Sequence, residues 1–187
     1  MQRYRKNLFL PCAVRALFAG CLLFCASSSL LAAQEKSTSA GGAWQVFESE
    51  DPMTLAKHVN FELISNSSQS GNREAPSRID IYCDNGKYKS GEFTPGEMLA
   101  RPNRPGFWGQ PQMEVMVRVD NSHSKHGWNW NGRFLAMDKG TVEELLGAQV
   151  FKIEFYSARG QRIADFSPAG IDLKRVSQAC GLAPKKP

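Results

Sequence analysis

Beyond residue 33 the chain keeps only two cysteines, Cys83 and Cys180. The residues before that point read as a secretion signal, so these two are expected to mature where disulfides form. A basic start, Arg3, Arg5 and Lys6, leads through Arg15 into the apolar run from Ala16 to Phe24. Ser27, Ser28 and Ser29 follow, then small residues ending at Ala32 and Ala33. The uncharged stretch from Ala16 to Ala33 is about as long as a membrane span requires, but Cys25 and the serines dilute it, and no basic stop-transfer flank follows. Cleavage is expected near the Ala33–Gln34 bond, giving a periplasmic or secreted product. A competing lipoprotein reading, with Phe18-Ala19-Gly20-Cys21 as a lipobox and Cys21 acylated, fits less well, because Arg15 sits just before it and apolar residues continue past it.

Charge and cysteine usage change once the signal is set aside. The sequence has 23 Lys and Arg against 18 Asp and Glu; Arg3, Arg5, Lys6 and Arg15 belong to the signal, so 19 basic and 18 acidic residues remain. A near-neutral chain with scattered cations has no electrostatic footprint for nucleic acid, which is not an expected partner. Cys12, Cys21 and Cys25 also lie in the signal, which leaves an even pair. A Cys83–Cys180 disulfide is the expectation, closing a loop of about a hundred residues and stabilising by roughly 4–5 kcal/mol in the chain-entropy model. The spacing suits a structural staple and not a redox pair or a metal site.

Residues 34–43, rich in Ser, Gly and Ala, are expected to be a flexible polar lead, residues 44–182 a single domain, and residues 183–187 a solvated tail. In the body, apolar residues recur at every second position, the mark of half-buried strands. Trp44 and Val46 start one strand; Val59, Phe61 and Leu63 a second; Ile79, Ile81 and Cys83 a third. Asp84-Asn85-Gly86 signals a tight turn into residues 87–93. The run 97–112, rich in proline and glycine, reads as the longest irregular stretch and as a candidate binding loop. Met113, Val115, Val117 and Val119 form the clearest strand, with a polar loop expected over residues 121–125. A short helix near residues 140–146 has Thr141 and Glu144 at capping-box spacing. Strands are expected over residues 150–156 and 162–166, and a last helix from Ser167 or Pro168 to about Ala179, stopped by Gly181. Seven or eight antiparallel strands with two small helices predict an all-β-dominated fold, a single antiparallel β-sandwich or flattened barrel with one short helix and a C-terminal helix.

Trp44, the turn Asp51-Pro52-Met53-Thr54, the Cys83 strand, Arg118-Val119-Asp120 followed by Trp128, and the ending Ala179-Cys180-Gly181 together resemble the VasI-like proteins associated with bacterial type VI secretion. Leu55 departs from the pattern, in which an acidic or polar residue often follows the turn threonine. The resemblance implies an exported accessory protein without known enzymatic activity.

The residues themselves carry little recognisable chemistry. There is no Gly-x-Ser-x-Gly elbow, His-Glu-x-x-His, phosphate-binding glycine loop or calcium loop. His123 and His126 beside Asp120 make a poor metal set, with Lys125 between them, and Asp120, His123 and Ser122 make a poor hydrolytic triad for want of any oxyanion motif. No metal and no cofactor are expected. Arg118 and Asp120, two apart, suggest an exposed ion pair or a grip for a partner's carboxylate. Trp108, Trp128 and Trp130 are either core residues or a platform for sugar rings. The leading expectation is a non-enzymatic accessory protein that binds an envelope or secretion-machinery protein through a sheet edge or the loop over residues 97–112. The alternative is a peptidoglycan- or glycan-binding module, with inhibition of a wall-lytic enzyme as a variant.

Overall fold

The computed structural model describes residues 36–66 and 75–185, so the expected signal, its expected cleavage site and the Cys21 reading lie outside the described residues. The described residues belong to one compact unit. Eleven strands form it: β1 (Lys36–Ser39), β2 (Trp44–Glu50), β3 (Lys57–Ile64), β4 (Arg78–Asp84), β5 (Lys87–Thr94), β6 (Arg104–Pro105), β7 (Pro111–Val119), β8 (Ser122–Trp130), β9 (Leu135–Met137), β10 (Phe151–Ser157) and β11 (Gly160–Phe166). Two helices accompany them, α1 (Lys139–Gly147) and α2 (Leu173–Cys180). All pairings are antiparallel, and the sheet runs β1-β2-β3-β4-β5-β9-β8-β7-β10-β11, with β6 on β7. The all-β expectation holds, and the sheet does not close into a barrel.

Two ring contacts show how the sheet doubles over. Phe93 on β5 meets Phe155 on β10 edge-on at 5.1 Å, and Phe166 on β11 at 6.3 Å. In the hydrogen-bonding order β5 and β10 are separated by three strands, and strands lie nearly 5 Å apart, so such contact requires one half of the sheet to face the other. The backbone agrees: the Asn66 amide donates to the Asp165 carbonyl (2.8 Å) and the Ala100 amide to the Tyr156 carbonyl (3.0 Å). The period-two residues fill the space between. Val46, Phe61, Leu63, Ile79 and Ile81 come from one half and Met113, Val115, Val117, Ile153 and Phe166 from the other, all buried. The result is sandwich-like, with one continuous core.

The helices close this core. In α1, Val142 packs onto β5 where Gly91 leaves room, since a Cβ there would stand 2.5 Å from Val142 Cγ2. Asp138 caps α1 by accepting from the Thr141 amide (2.9 Å), so the cap lies before the Thr141–Glu144 pair that the sequence suggested. Helix α2 begins at Leu173, after the Asp172 cap, and not at Ser167 or Pro168. Gly181, at φ 62°, ends it.

Two expectations are corrected. The lead over residues 34–43 is not simply a flexible segment: Lys36–Ser39 add strand β1 to β2, Ala40 is buried, and Arg175 of α2 bonds Thr38 Oγ1 (3.0 Å), the Ser39 carbonyl (3.3 Å) and Glu48. The polar loop over residues 121–125 is a strand: the turn is Asp120-Asn121 alone, with Val119 opposite Ser122, and Asp120 adopts φ 52°. Aspartate tolerates that left-handed conformation better than most residues, so the hairpin forms without glycine.

Cys83 on β4 is bonded to Cys180 on α2, their Cα atoms 5.1 Å apart. The bond spans 97 positions, so its removal frees a long loop in the unfolded chain. Cys83→Ala/Cys180→Ala is expected to lose about 4 kcal/mol of unfolding free energy, read as a lower urea midpoint with a steeper slope, because the unlinked denatured chain is more expanded.

Candidate functional site

The aromatic residues named from sequence part company in the structure. Trp128, on the inner face of β8, is 1% exposed; it packs near Phe93 (6.3 Å), and its indole N–H donates to Asp138 Oδ2 (3.2 Å). Trp130 is partly buried, and its indole N–H donates to the Ala100 carbonyl (3.0 Å). Neither offers an open ring face of the kind a glycan platform needs. Trp108 does: it is 85% exposed, beside Phe107 at 88%.

These two rings stand on a braced turn between β6 and β7. Arg104 and Pro105 pair with Gln112 and Pro111, and the turn closes through Gly106 N–H to the Gln110 carbonyl (2.8 Å) and Gly109 N–H to the Gly106 carbonyl (2.9 Å). Gln110 Oε1 accepts from the Trp108 amide (2.9 Å), and its side chain fills the space where a Cβ on Gly106 would lie, 2.5 Å away. The preceding segment is held as well: Asn103 N–H donates to the Gln112 carbonyl (3.1 Å), while Asn103 Oδ1 accepts from the Glu114 amide (2.8 Å). Phe107 and Trp108 meet edge to face at 4.8 Å and 88°. Two large apolar rings are thus left in water by a turn whose backbone is already ordered, so a partner covering them would gain their burial without ordering the loop.

Arg118 and Asp120 do not form the expected ion pair. Asp120 lies in the β7–β8 turn, where its Oδ1 accepts the Gln149 and Val150 amides (both 2.9 Å) and ties the turn to the start of β10. Arg118 Nε donates to the Asp120 carbonyl (2.8 Å). Its side chain lines a groove of about 530 Å³ on the outer face of β7, β10 and β11, with Met116, His123, Lys152, Glu154 and Asp165. His123 and His126 fall on opposite faces of β8 and do not converge on an ion. Among the described residues no group of His, Cys, Asp or Glu is placed to hold a metal.

Sequence reasoning missed a polar chain centred on Asp138. Ser124 Oγ lies 2.7 Å from His126 Nε2, and His126 Nδ1 lies 3.1 Å from Asp138 Oδ2. With Nδ1 facing the carboxylate, the neutral ring carries its proton there and Nε2 accepts from the serine. Thr141 Oγ1 donates to the same Asp138 oxygen (2.7 Å) and stands 3.2 Å from His126 Nδ1. Burial pushes the Asp138 carboxyl up, but the Thr141 hydroxyl and amide, the His126 ring and the Trp128 indole outweigh it and hold it below the ordinary carboxylate range. The order Ser-His-Asp matches a hydrolytic triad. Asp138, however, caps a helix and anchors Trp128, and Ser124 stands on an exposed part of β8.

A second polar feature crosses the outer face of β3, β4 and β5, where Glu62, Asp80 and Glu92 stand directly opposite one another. Asp80 is only 2% exposed; it accepts from the Asn60 amide (3.1 Å), and Arg78 Nε lies 3.0 Å away. Burial, then the Asp80 charge, raises both Glu62 and Glu92, and burial with the same acids pushes Tyr82 up to about 12. Tyr82 and Glu92 share a groove of about 520 Å³ with Phe47, His58, Asn60 and Asp84.

No protein-family model matches the chain, and no curated protein or solved structure matches it either.

Two outcomes follow from this geometry. Asp138→Ala is expected to cost about 2 kcal/mol, because it removes a helix cap and orphans the Trp128 and Thr141 donors, while Ser124→Ala leaves the thermal midpoint unchanged. Glu92→Gln is expected to stabilise at pH 7 by up to about 1 kcal/mol, since like charges directly opposite on a sheet repel. The folded-state pKa of Glu92 is raised, so the repulsion acts above that value and fades as pH falls towards the ordinary carboxylate range. The advantage of the variant in urea melts should therefore vanish near pH 4.

Proposed function

We propose that the chain is an exported accessory protein of the cell envelope, periplasmic or secreted, that acts by binding and not by turnover. The observation that carries this reading is the Phe107–Trp108 pair, two rings held in water on a hydrogen-bonded turn. Fully burying a phenylalanine is worth about 1.5–3 kcal/mol, and a tryptophan brings more area, so a fold that leaves both outside forgoes a large gain unless something covers them. Export is supported by the signal-like start and the Cys83–Cys180 bond; among the described residues no helix is long and apolar enough to cross a membrane. The VasI-like resemblance adds a secretion-machinery protein as the expected partner. Two kinds of surface can meet it: the aromatic tip, and the outer strands β1 and β11 that end the open sheet, to which an extended segment could add.

A glycan reading keeps one observation in its favour, the free face of Trp108 beside the Gln110 amide, although Trp128 and Trp130 have gone to structural work. The test is a crosslinking pull-down from envelope extract with the tagged chain expressed behind its own leader, alongside sedimentation with insoluble peptidoglycan. Phe107→Ala/Trp108→Ala is expected to lose capture of a defined envelope component at an unchanged thermal midpoint. Sedimentation with the wall, lost in the same variant, would move the reading to a glycan binder. Labelling of Ser124 by a fluorophosphonate, abolished by His126→Ala in a folded protein, would replace binding with acyl transfer.

A further inference from the structure

The charge around the aromatic tip leans positive. Arg101, Arg104 and Arg133 lie beside it in the chain or in register, with Glu114, opposite Gly127, set against Arg104 and Lys125. Strand register gathers much of this at one end. Gln112 on β7 pairs with Arg104 on β6 and Asn129 on β8, and Asn129 with Ala136 on β9, so the turn over residues 131–134, with Arg133, leaves the sheet at the same end as the Phe107–Trp108 turn. Arg101 precedes β6, next to Ala100, which is bonded to Trp130 just before that turn. Arg104 and Lys125 face Glu114, whereas Arg101 and Arg133 have no ion pair among the described residues.

We propose that this end of the sheet docks on the surface of an anionic phospholipid bilayer, with Phe107 and Trp108 entering the headgroup boundary and Arg101 and Arg133 meeting lipid phosphates. The inference rests on the reading of the tip as a binding surface and names what that surface takes, leaving β1 and β11 for a protein partner. Area decides between a bilayer and a protein at the tip. A stable protein interface buries about 800 Å² on each partner with some 20–30 residues, whereas two aromatic side chains supply roughly 300–500 Å². A narrow protruding turn makes a poor flat interface but suits interfacial insertion, where amphipathic tryptophan rings concentrate and flanking cations meet anionic headgroups. The bracing by Gln110 fits as well, because a preordered turn enters the boundary with its backbone polar groups already bonded.

The test uses the protein purified from the envelope after expression behind its own leader, mixed with vesicles of phosphatidylethanolamine and phosphatidylglycerol or of phosphatidylcholine alone. Binding is expected to be at least about tenfold tighter to the anionic vesicles and to weaken with salt. The tryptophan emission should shift to the blue, a change assigned to Trp108 because Trp44 and Trp128 are buried and Trp130 is partly so. Trp108→Phe should abolish the shift. Phe107→Ala/Trp108→Ala should reduce binding at least about tenfold at an unchanged thermal midpoint, and Arg101→Gln and Arg133→Gln by about fivefold each. Absence of binding to anionic vesicles at low salt would overturn the proposal, as would binding indifferent to the tip variants. If vesicles fail while the tip variant still loses a protein or wall partner in the pull-down, the lipid assignment falls and the binding reading stands. If both fail, the tip is not a binding surface.

Discussion

The contact on which the rest of the structure depends is Phe93 against Phe155 and Phe166. An eleven-stranded open sheet has two faces, and this chain has apolar residues for one of them only, so the sheet must bury that face against itself. The crease that permits it runs through β9, which shares only three residue pairs with β5 and two with β8. With so few ladder bonds there, the two halves can rotate towards each other at little cost in backbone pairing. Phe93 sits beside that crease and reaches across it; each aromatic pair adds about 0.5–1.5 kcal/mol to the burial of its rings. Helix α1 follows β9 directly and packs Val142 against Gly91. Asp138 then ties the start of the helix to Trp128 and His126 on the other side of the crease.

That arrangement explains why a Ser-His-Asp sequence of bonds can be structural. At a crease, donors on β8 lose the neighbouring strand that would otherwise satisfy or cover them. A single carboxylate taking the Thr141 hydroxyl, the Trp128 indole and the His126 ring satisfies several buried or half-buried donors at once. The acidic row on the outer face is the opposite case. Glu62, Asp80 and Glu92 repel one another in direct register, and one arginine, Arg78, bridges Asp80 and Glu62. The fold tolerates it because the aromatic core beneath is well filled, and a surface term of about 1 kcal/mol is small beside the core.

The strands were legible in the sequence because half-buried strands write a period of two, and Val59 to Leu63, Ile79 to Cys83 and Met113 to Val119 do so cleanly. The cysteine pair was legible because Cys12, Cys21 and Cys25 all fall in the signal-like start. What escaped had no local signature. The Asp120-Asn121 turn lacks the glycine that marks most tight hairpins, so residues 121–125, the start of β8, read as a loop, and the parity that separates His123 from His126 is lost with them. Strand β1 is four polar residues whose pairing depends on Arg175, about 136 positions away. Asp138 carries no signature in the sequence, because its partners converge only after the sheet has creased. The candidate loop over residues 97–112 was recognised from its composition, but its backbone bonds, and hence which of its side chains would remain outside, follow from the pairing of β6 with β7. Among the aromatics, sequence could not sort Trp128 from Trp108: both lie near glycines and amides, and only the strand face of one and the turn position of the other decide.

The two ends of the sheet are not equivalent, and this asymmetry bears on function more than any single residue. One end carries the Asp51–Ala56 and Asn85–Gly86 turns, joined by Lys57 and Asn85, with Met53 and Leu55 exposed and Leu55 held at φ 57°, a left-handed conformation costly for a leucine. The other carries the aromatic tip, braced and unstrained, with Arg101 and Arg133 in no ion pair among the described residues. The Asp51–Ala56 turn is ordered too, with Asp51 Oδ1 accepting the Met53 and Thr54 amides (2.7 and 3.0 Å), but it exposes aliphatic side chains and holds one of them in strain. The tip has instead been stiffened by proline on either side and by Gln110 from within, so ordering it costs nothing at the moment of contact. A chain that docks at one end through such a turn leaves its outermost strands, β1 and β11, to a second partner.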